Sequence, residues 1–172
     1  LIKRNLYDHT RNYALFVLGI NTAMRASEIL ALKVKNVADL APNDGLKIYQ
    51  RKTSSYRVLS INEAAINAVK RHVETHDMSP EHYLFQNNRY RREPIGGSYL
   101  ATLVKGWCFD AGLQENYGSH TLRKTWGYMQ RKHKKTPTIL LKKAFGHRYE
   151  WQTIAYLGIE SDEINALYEM QL

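Results

Sequence analysis

The fold and the chemistry of this chain are decided by residues 119–156, which read SHTLRKTWGYMQRKHKKTPTILLKKAFGHRYEWQTIAY. His120 and Arg123 are three positions apart, so on a helix they lie one turn apart on the same face. Such a pair can hold one anionic group from two sides. His147 follows, and Tyr156 comes nine residues after it. The stretch therefore combines cationic and proton-handling groups with a phenol that can act as a nucleophile.

The composition is that of one folded domain. The chain has 172 residues, and 44% of them are hydrophobic, which is enough to bury a core without disulfides. Its single cysteine, Cys108, has no partner for an internal disulfide and fits a reducing, cytoplasmic compartment. No apolar run approaches the length of a membrane span, and no secretory signal follows Leu1. We predict a single domain over 1–172 and no membrane partner.

The charge is unevenly distributed. Lys and Arg number 25 against 16 Asp and Glu, which gives a net charge of +9. A solvated basic face is the ordinary explanation, but here the cations cluster, and clustered cations attract phosphate backbones. Nucleic acid is therefore the predicted partner, whereas the segment 160–172 contains four acids and no Lys or Arg. The basic clusters are Arg89, Arg91 and Arg92, then 131–135, then Lys142 and Lys143.

Hydrophobic periodicity predicts a mainly helical domain with one small antiparallel sheet, that is, an α+β fold. Two strand-like runs contain Leu46 and Ile48, then Val58 and Ile61, on either side of a polar hairpin loop. The predicted helices cover about 7–20, 25–32, 63–75, 97–111, 120–131, 137–146, 152–157 and 162–170.

Two further cations lie outside the opening stretch. Arg25 stands at the start of a predicted helix beside small residues that let a ligand approach. Taken alone, a surface ion pair with Glu28 at i,i+3 is the better-supported interpretation of this arginine. Lys52 falls at the tip of the predicted hairpin, where lysines usually only aid solubility. His72 and His76 have the spacing of a metal-binding pair, but nothing completes a ligand shell, so we interpret them as packing residues.

Collected, these residues suit phosphoryl transfer, which needs a nucleophile, charge stabilisation and an acid for the leaving oxygen. Arginine presents a fork of donors to non-bridging oxygens that lysine cannot match. A tyrosine has an ordinary pKa of about 10, and neighbouring cations favour its phenolate. No carboxylate cluster of the metal-nuclease type is apparent, so we predict chemistry without a metal or cofactor. The candidates are Arg25, Lys52, His120, Arg123, His147 and Tyr156.

In these motifs the chain resembles the tyrosine recombinases, or phage-type integrases. Each motif alone is weak, but their order and rough spacing match, and together they span nearly the whole chain. The resemblance implies the fold of the recombinase catalytic domain. The matching motifs are Ala-Met-Arg-Ala-Ser-Glu at 23–28, Lys52-Thr53, His-Thr-Leu-Arg at 120–123, and Gly146-His147 ahead of Tyr156.

The resemblance also implies a role for each residue that holds or attacks the phosphate. Tyr156 attacks the scissile phosphate of double-stranded DNA and forms a covalent 3′-phosphotyrosyl link. Arg25 and Arg123 hold the non-bridging oxygens, and His147 donates a further hydrogen bond. The implied activity is site-specific DNA recombination.

Proton transfer is assigned by the same resemblance. Lys52 is the implied general acid for the leaving 5′-oxygen, and His120 assists at the nucleophile. Religation then uses the stored phosphodiester energy, so neither ATP nor a metal is needed.

The family also implies an assembly. Its members carry an N-terminal core-binding domain, which we expect upstream of this chain, and they act as DNA-bound tetramers. The acidic segment of about 160–172 is then a tail helix that packs on a neighbouring protomer. A bacterial or phage-encoded protein acting on DNA in the cytoplasm is the corresponding expectation.

Two alternatives stay open. One is relaxation of DNA in the manner of a type IB topoisomerase, and the other is a catalytically silent DNA-binding module with the same fold.

Among the twelve tyrosines, Tyr149 and Tyr168 are interpreted as packing or surface residues, because only Tyr156 has the required spacing from His147.

Overall fold

The computed structural model describes residues 1–50, 55–87 and 93–158. Eight α-helices, one short 3-10 helix (Val34–Asn36) and one antiparallel pair of strands lie in these ranges, so the predicted α+β class is confirmed. The helix predicted over 162–170 falls outside the described residues. The elements in chain order are α1 Ile2–Leu6, α2 Thr10–Asn21, α3 Ala26–Leu30, β1 Gly45–Gln50, β2 Ser55–Ser60, α4 Glu63–Thr75, α5 Gly97–Asp110, α6 Ser119–Lys134, α7 Thr138–Phe145 and α8 Glu150–Leu157.

The chain divides into two compact units, Leu1–Trp126 and Gly127–Leu172, and the division falls within α6. The assignment of 1–172 to one catalytic domain stays a prediction. In the described ranges every helix is too short or too polar to cross a bilayer.

The core of the first unit is built on α2 and α4. The helix predicted over about 7–20 corresponds to α2, which begins at Thr10 with His9 as its N-cap, and α1 precedes it as a separate short helix. On α2, Leu15 and Leu18 are fully buried, whereas Phe16 is only half-buried. The packing of α2 against α4 therefore decides which of its residues are buried, and the hydrophobicity of the residues alone does not.

Local signals explain where the other helices begin and end. Asn62 caps α4, since its side chain accepts a hydrogen bond from the Ala65 N–H at 3.0 Å. Gly112 follows the end of α5 with a φ of 78°, in the left-handed region that glycine adopts without strain. The same conformation ends α7 at Gly146 and α8 at Gly158.

β1 and β2 pair as predicted, and the register of the pairing decides which side chains face the core. On β1, Leu46 and Ile48 point into the core. Val58 pairs with Lys47 on the opposite face and is 67% exposed. Arg57 pairs with Ile48 and therefore lies on the inward face.

The two spaced histidines serve packing, as interpreted from the sequence. Both His72 and His76 form hydrogen bonds with the Thr10 hydroxyl, at 3.3 and 3.1 Å. His72 also hydrogen-bonds to the Leu84 carbonyl at 3.0 Å and stacks on Phe85. Burial lowers the pKa of His72 to about 4, so the ring is neutral at pH 7.

A glycine lets α2 approach the helix that carries the site. A Cβ atom placed on Gly19 would lie 2.6 Å from Cδ1 and 2.9 Å from Cβ of Leu122, the residue before Arg123. Cβ contacts of this length are not tolerated, so a side chain at position 19 would displace Leu122. Gly106 in α5 is the matched opposite case, because a Cβ there would meet nothing within 4 Å.

We expect Gly19→Ala to destabilise the protein by about 1–3 kcal/mol through overpacking, which lowers the melting temperature by several degrees. Gly106→Ala is the control and should stabilise it by roughly 0.5–1 kcal/mol, because alanine is the better helix former. Thermal unfolding followed by circular dichroism measures both. Equal shifts of the same sign would contradict the close packing of Gly19 on Leu122.

Candidate active site

Arg123 lies in the first half of α6 and is almost completely buried, with 3% of its surface exposed. Its Nη1 donates a hydrogen bond of 2.7 Å to the carbonyl oxygen of Ala23. Ala23 is two residues before Arg25, so this contact holds Arg123 against the segment that carries the other predicted site arginine.

Arg25 is held by the residue three positions further on. Its backbone N–H donates to Glu28 Oε2 at 2.7 Å, and its Nη1 donates to Glu28 Oε1 at 2.9 Å. The ion pair expected from the spacing is therefore present. It is not a surface pair, however, because the Glu28 side chain is 5% exposed while that of Arg25 is 29% exposed. Buried Glu28 orients Arg25, whose side chain is partly exposed.

A third arginine, missed in the sequence, completes this network. Arg57 Nη2 donates to the Ala23 carbonyl at 3.1 Å and to Glu28 Oε2 at 2.8 Å. One carbonyl oxygen and one carboxylate thus connect three arginines from different parts of the first unit. The register of β1 and β2 puts Arg57 on the inward face, where a charged residue needs a buried partner, and the sequence alone carries no signal of this register.

The electrostatics of Glu28 reflect this network. Burial alone would raise the pKa of this carboxyl, but the hydrogen bond from the Arg25 backbone and the charge of Arg57 outweigh it and lower the pKa below its ordinary value. Glu28 is therefore ionised at neutral pH and neutralises part of the arginine charge.

His120 is the first-turn residue of α6 and is exposed. The Gly118 N–H donates to Thr121 Oγ1 at 3.0 Å, so the side chain of Thr121 accepts a backbone hydrogen bond at the start of α6. This start of α6 places His120 one turn before Arg123 on the same helix, as predicted.

In the second unit three rings form a cluster. His147 stacks on Phe145 with centroids 5.1 Å apart and planes 20° apart. Tyr156 meets both rings edge-on, at 5.2 Å from Phe145 and 5.4 Å from His147. Phe145 is fully buried and Tyr156 is half-buried, so the cluster is anchored on its apolar side.

The turn after α7 brings His147 back over Phe145. Gly146 has φ 64° and ψ 41°, and its N–H donates to the Lys143 carbonyl at 3.0 Å. The His147 N–H donates to the Lys142 carbonyl at 3.1 Å, which completes a Schellman motif. Glycine is favoured at position 146 because this turn requires a left-handed backbone.

Thr153 is a second residue that the sequence analysis missed. It is fully buried, and its Oγ1 lies 3.0 Å from Nδ1 of His147. Its position three residues before Tyr156 puts it on the same side of α8, which is the signal that points to it.

The six predicted site residues are thus placed as follows. Arg25 is linked to Arg123 through Glu28, Arg57 and the Ala23 carbonyl. His120 is one helical turn from Arg123, and His147 contacts Tyr156 in the second unit. Lys52 lies outside the described residues. Within the described ranges, no group of three or more His, Cys, Asp or Glu side chains is placed to hold a metal ion.

Residues 2–162 match the phage integrase family. The probable integrase/recombinase YoeC of Bacillus subtilis (strain 168) is 34% identical over 166 residues, which are 96% of this chain and 87% of that protein. The tyrosine recombinase XerC of Caldanaerobacter subterraneus subsp. tengcongensis is 24% identical over 158 residues, 90% of this chain and 43% of that protein. This chain therefore belongs to the phage integrase family, and the family predicted from its motifs is confirmed.

Solved structures agree on the fold. The XerA recombinase superposes with a TM-score of 0.77 at 19% identity, over 98% of this chain and 59% of that one. The XerH site-specific recombinase in its post-cleavage complex with difH gives 0.76 at 21% identity, over 98% and 50%. The chain thus spans about half the length of XerC and XerH and has the fold predicted for a recombinase catalytic domain.

Glu28→Gln keeps the shape of the side chain but removes the charge that two arginines share. We expect a loss of about 3 kcal/mol of stability at pH 7, since a buried ion-pair network loses its anion. The pKa of Glu28 is lowered in the folded state, so its contribution is present above the unfolded-state pKa of about 4.3 and is lost as the pH falls through the folded-state value. The difference between the two proteins should therefore shrink in acid.

Urea denaturation at about pH 7 and about pH 3 measures this difference. Glu81→Gln is the control, because Glu81 pairs with Lys33 and Lys35 at the surface, where solvent screens the interaction. An equal loss for Glu28→Gln at both pH values would show that its charge does not support the network.

Proposed function

We propose that this chain is the catalytic domain of a site-specific recombinase that cleaves and rejoins double-stranded DNA through a covalent tyrosine intermediate. The observation that carries the proposal is the hydrogen bond from Arg123 to the carbonyl of Ala23, which holds Arg123 against the backbone two residues before Arg25. Two guanidinium forks are what the non-bridging oxygens of a phosphodiester require. Membership of the phage integrase family supports the same activity.

The proposed reaction is one in-line displacement at phosphorus. The Tyr156 Oη attacks, a bond from this oxygen to phosphorus forms, and the bond from phosphorus to the 5′-oxygen breaks. His120 assists removal of the phenolic proton, and Lys52 gives a proton to the departing 5′-oxygen. The strand is then joined to Tyr156 through its 3′-phosphate and ends in a free 5′-hydroxyl.

Stabilisation of the transition state is assigned to three groups. Arg25 and Arg123 hold the non-bridging oxygens as negative charge accumulates on them, and His147 donates a hydrogen bond to the same phosphate. The network around Glu28 supports this role, because its hydrogen bonds orient Arg25 before any substrate arrives. The reverse step, attack by a 5′-hydroxyl of another strand, requires no cofactor because one phosphodiester replaces another.

DNA is the proposed partner for reasons of charge. The last turn of α6 carries Arg131, Lys132, His133 and Lys134, and α7 adds Lys142 and Lys143. Cations at a helix C-terminus also interact favourably with the helix dipole, which explains part of the first cluster. The net charge of +9 supports binding to a phosphate backbone as the function of the rest.

We further propose assembly of protomers on DNA and action in the bacterial cytoplasm. Among the structural relatives, a lambda integrase was solved as a dimer bound to a core site, at a TM-score of 0.66. In this proposal the acidic segment 160–172 packs on a neighbouring protomer within a DNA-bound tetramer.

Incubation with a pool of nicked duplexes of randomised sequence tests the chemistry. A nick next to the scissile phosphate lets the released fragment diffuse away, so we expect a covalent protein–DNA adduct resistant to denaturing gel electrophoresis. Tyr156→Phe should abolish the adduct, whereas Tyr149→Phe, seven positions earlier, should form it at the normal rate.

The outcome also separates the alternatives. An adduct in Tyr156→Phe would exclude this nucleophile, and DNA binding without any adduct would indicate a silent binding module. Adduct formation on every duplex in the pool, together with relaxation of supercoiled plasmid, would indicate a topoisomerase.

The role of Lys52 is tested by changing the leaving group. A substrate with sulfur in place of the bridging 5′-oxygen releases a thiol, whose pKa of about 8.5 makes protonation unnecessary. We expect Lys52→Ala to slow cleavage of the ordinary strand by about 10²–10⁴-fold and to cleave the sulfur-substituted strand at nearly the normal rate. Arg25→Ala is the control that sulfur should not rescue. A failure of sulfur to rescue Lys52→Ala would exclude it as the acid.

A further inference from the structure

We propose that Thr153 is a positioning residue that fixes the tautomer and the direction of His147. This inference rests on the proposed function, in which His147 donates a hydrogen bond to the phosphate. A neutral imidazole carries one hydrogen, on Nδ1 or on Nε2, and only the nitrogen that carries it can donate. The partner of one nitrogen therefore decides what the other can do.

The hydroxyl of Thr153 is placed to determine which nitrogen of His147 carries the hydrogen. Thr153 is fully buried, and its Oγ1 lies 3.0 Å from Nδ1 of His147. Within the described ranges, Thr153 Oγ1 makes its hydrogen bond with His147. A buried hydroxyl that only accepted from Nδ1–H would leave its own hydrogen without an acceptor, which costs free energy.

The favourable arrangement is therefore donation from the Thr153 hydroxyl to Nδ1 of His147. The ring hydrogen then resides on Nε2, on the far side of the ring from Thr153. This is the form that can donate from Nε2 to a phosphate oxygen.

Two contacts together fix the ring. Stacking on Phe145, at 5.1 Å and 20°, fixes the plane of the imidazole. The hydrogen bond from Thr153 fixes rotation within that plane, and with it the direction in which Nε2 points. Because Thr153 is in the same helix as Tyr156, α8 holds both the nucleophile and the group that orients its neighbouring histidine.

Two conservative substitutions of Thr153 distinguish the effect of its hydroxyl from the effect of its side-chain shape. Thr153→Val keeps the branched side chain and removes the hydroxyl, whereas Thr153→Ser keeps the hydroxyl and removes a methyl group. Thr10→Val is the matched control, because it removes another buried hydroxyl bonded to histidines, in the core of the first unit.

The first measurement is made on the protein without DNA. Long-range proton–nitrogen NMR spectra of ¹⁵N-histidine protein report the tautomer, and the His147 signal is assigned by its loss in His147→Gln. We expect the Nε2–H form in the wild type and in Thr153→Ser, and a mixture of both tautomers in Thr153→Val. An Nδ1–H form in the wild type would overturn the proposal, whatever the activity of the chain.

The second measurement is the rate of covalent adduct formation on a nicked duplex selected from the pool. We expect Thr153→Val to slow the rate about tenfold with unchanged affinity for the duplex, a factor corresponding to one ordinary hydrogen bond. Thr153→Ser and Thr10→Val should retain the normal rate. In the His147→Gln background, Thr153→Val should cause no further loss, because its effect acts through the histidine.

A Thr153→Ser variant as slow as Thr153→Val, or an additional loss in the His147→Gln background, would show that Thr153 acts through packing and not through the tautomer. If Thr153→Val does not fold, the wild-type spectrum and the Thr153→Ser rate still decide. A wild type that forms no adduct would refute the proposed function, while its spectrum would still decide whether Thr153 orients the ring.

Discussion

The arrangement of Arg25 and Arg57 in the first unit depends on the hydrogen bonds that they make to the carboxylate of Glu28. This carboxylate receives hydrogen bonds from the backbone and side chain of Arg25 and from Arg57, and it is almost completely buried. Without this anion, guanidinium groups brought together by the fold would repel one another in a poorly solvated place. Its lowered pKa keeps it charged at neutral pH, so the arrangement is stable before any phosphate binds.

The Ala23 carbonyl plays the complementary part. It accepts from both Arg57 and Arg123, so the backbone before α3 connects the hairpin with α6. A backbone oxygen cannot be removed by a side-chain substitution, and its position depends on the conformation of the chain around it. The geometry of the arginines is therefore a property of the packed first unit and not of any one motif.

Much of this was predictable because some of its determinants are local. Three features are determined by residues that are close together in sequence. They are the spacing of His120 and Arg123 on one helix, the turn at Gly146, and the number of residues between His147 and Tyr156. Arg57 was missed because its role depends on the register of β1 and β2, which sequence alone leaves undetermined. Thr153, by contrast, could have been found from helical periodicity, because it lies three residues before Tyr156 on the same helix.

The burial of Arg123 has a thermodynamic consequence. A free arginine side chain samples many rotamers, and freezing them costs about 2 kcal/mol of entropy. In this protein the hydrogen bond to the Ala23 carbonyl restricts Arg123 during folding. That entropy is therefore lost before any encounter with an anion, and calorimetry of an anion bound by Arg123 would show a smaller entropic penalty than a flexible surface arginine would impose.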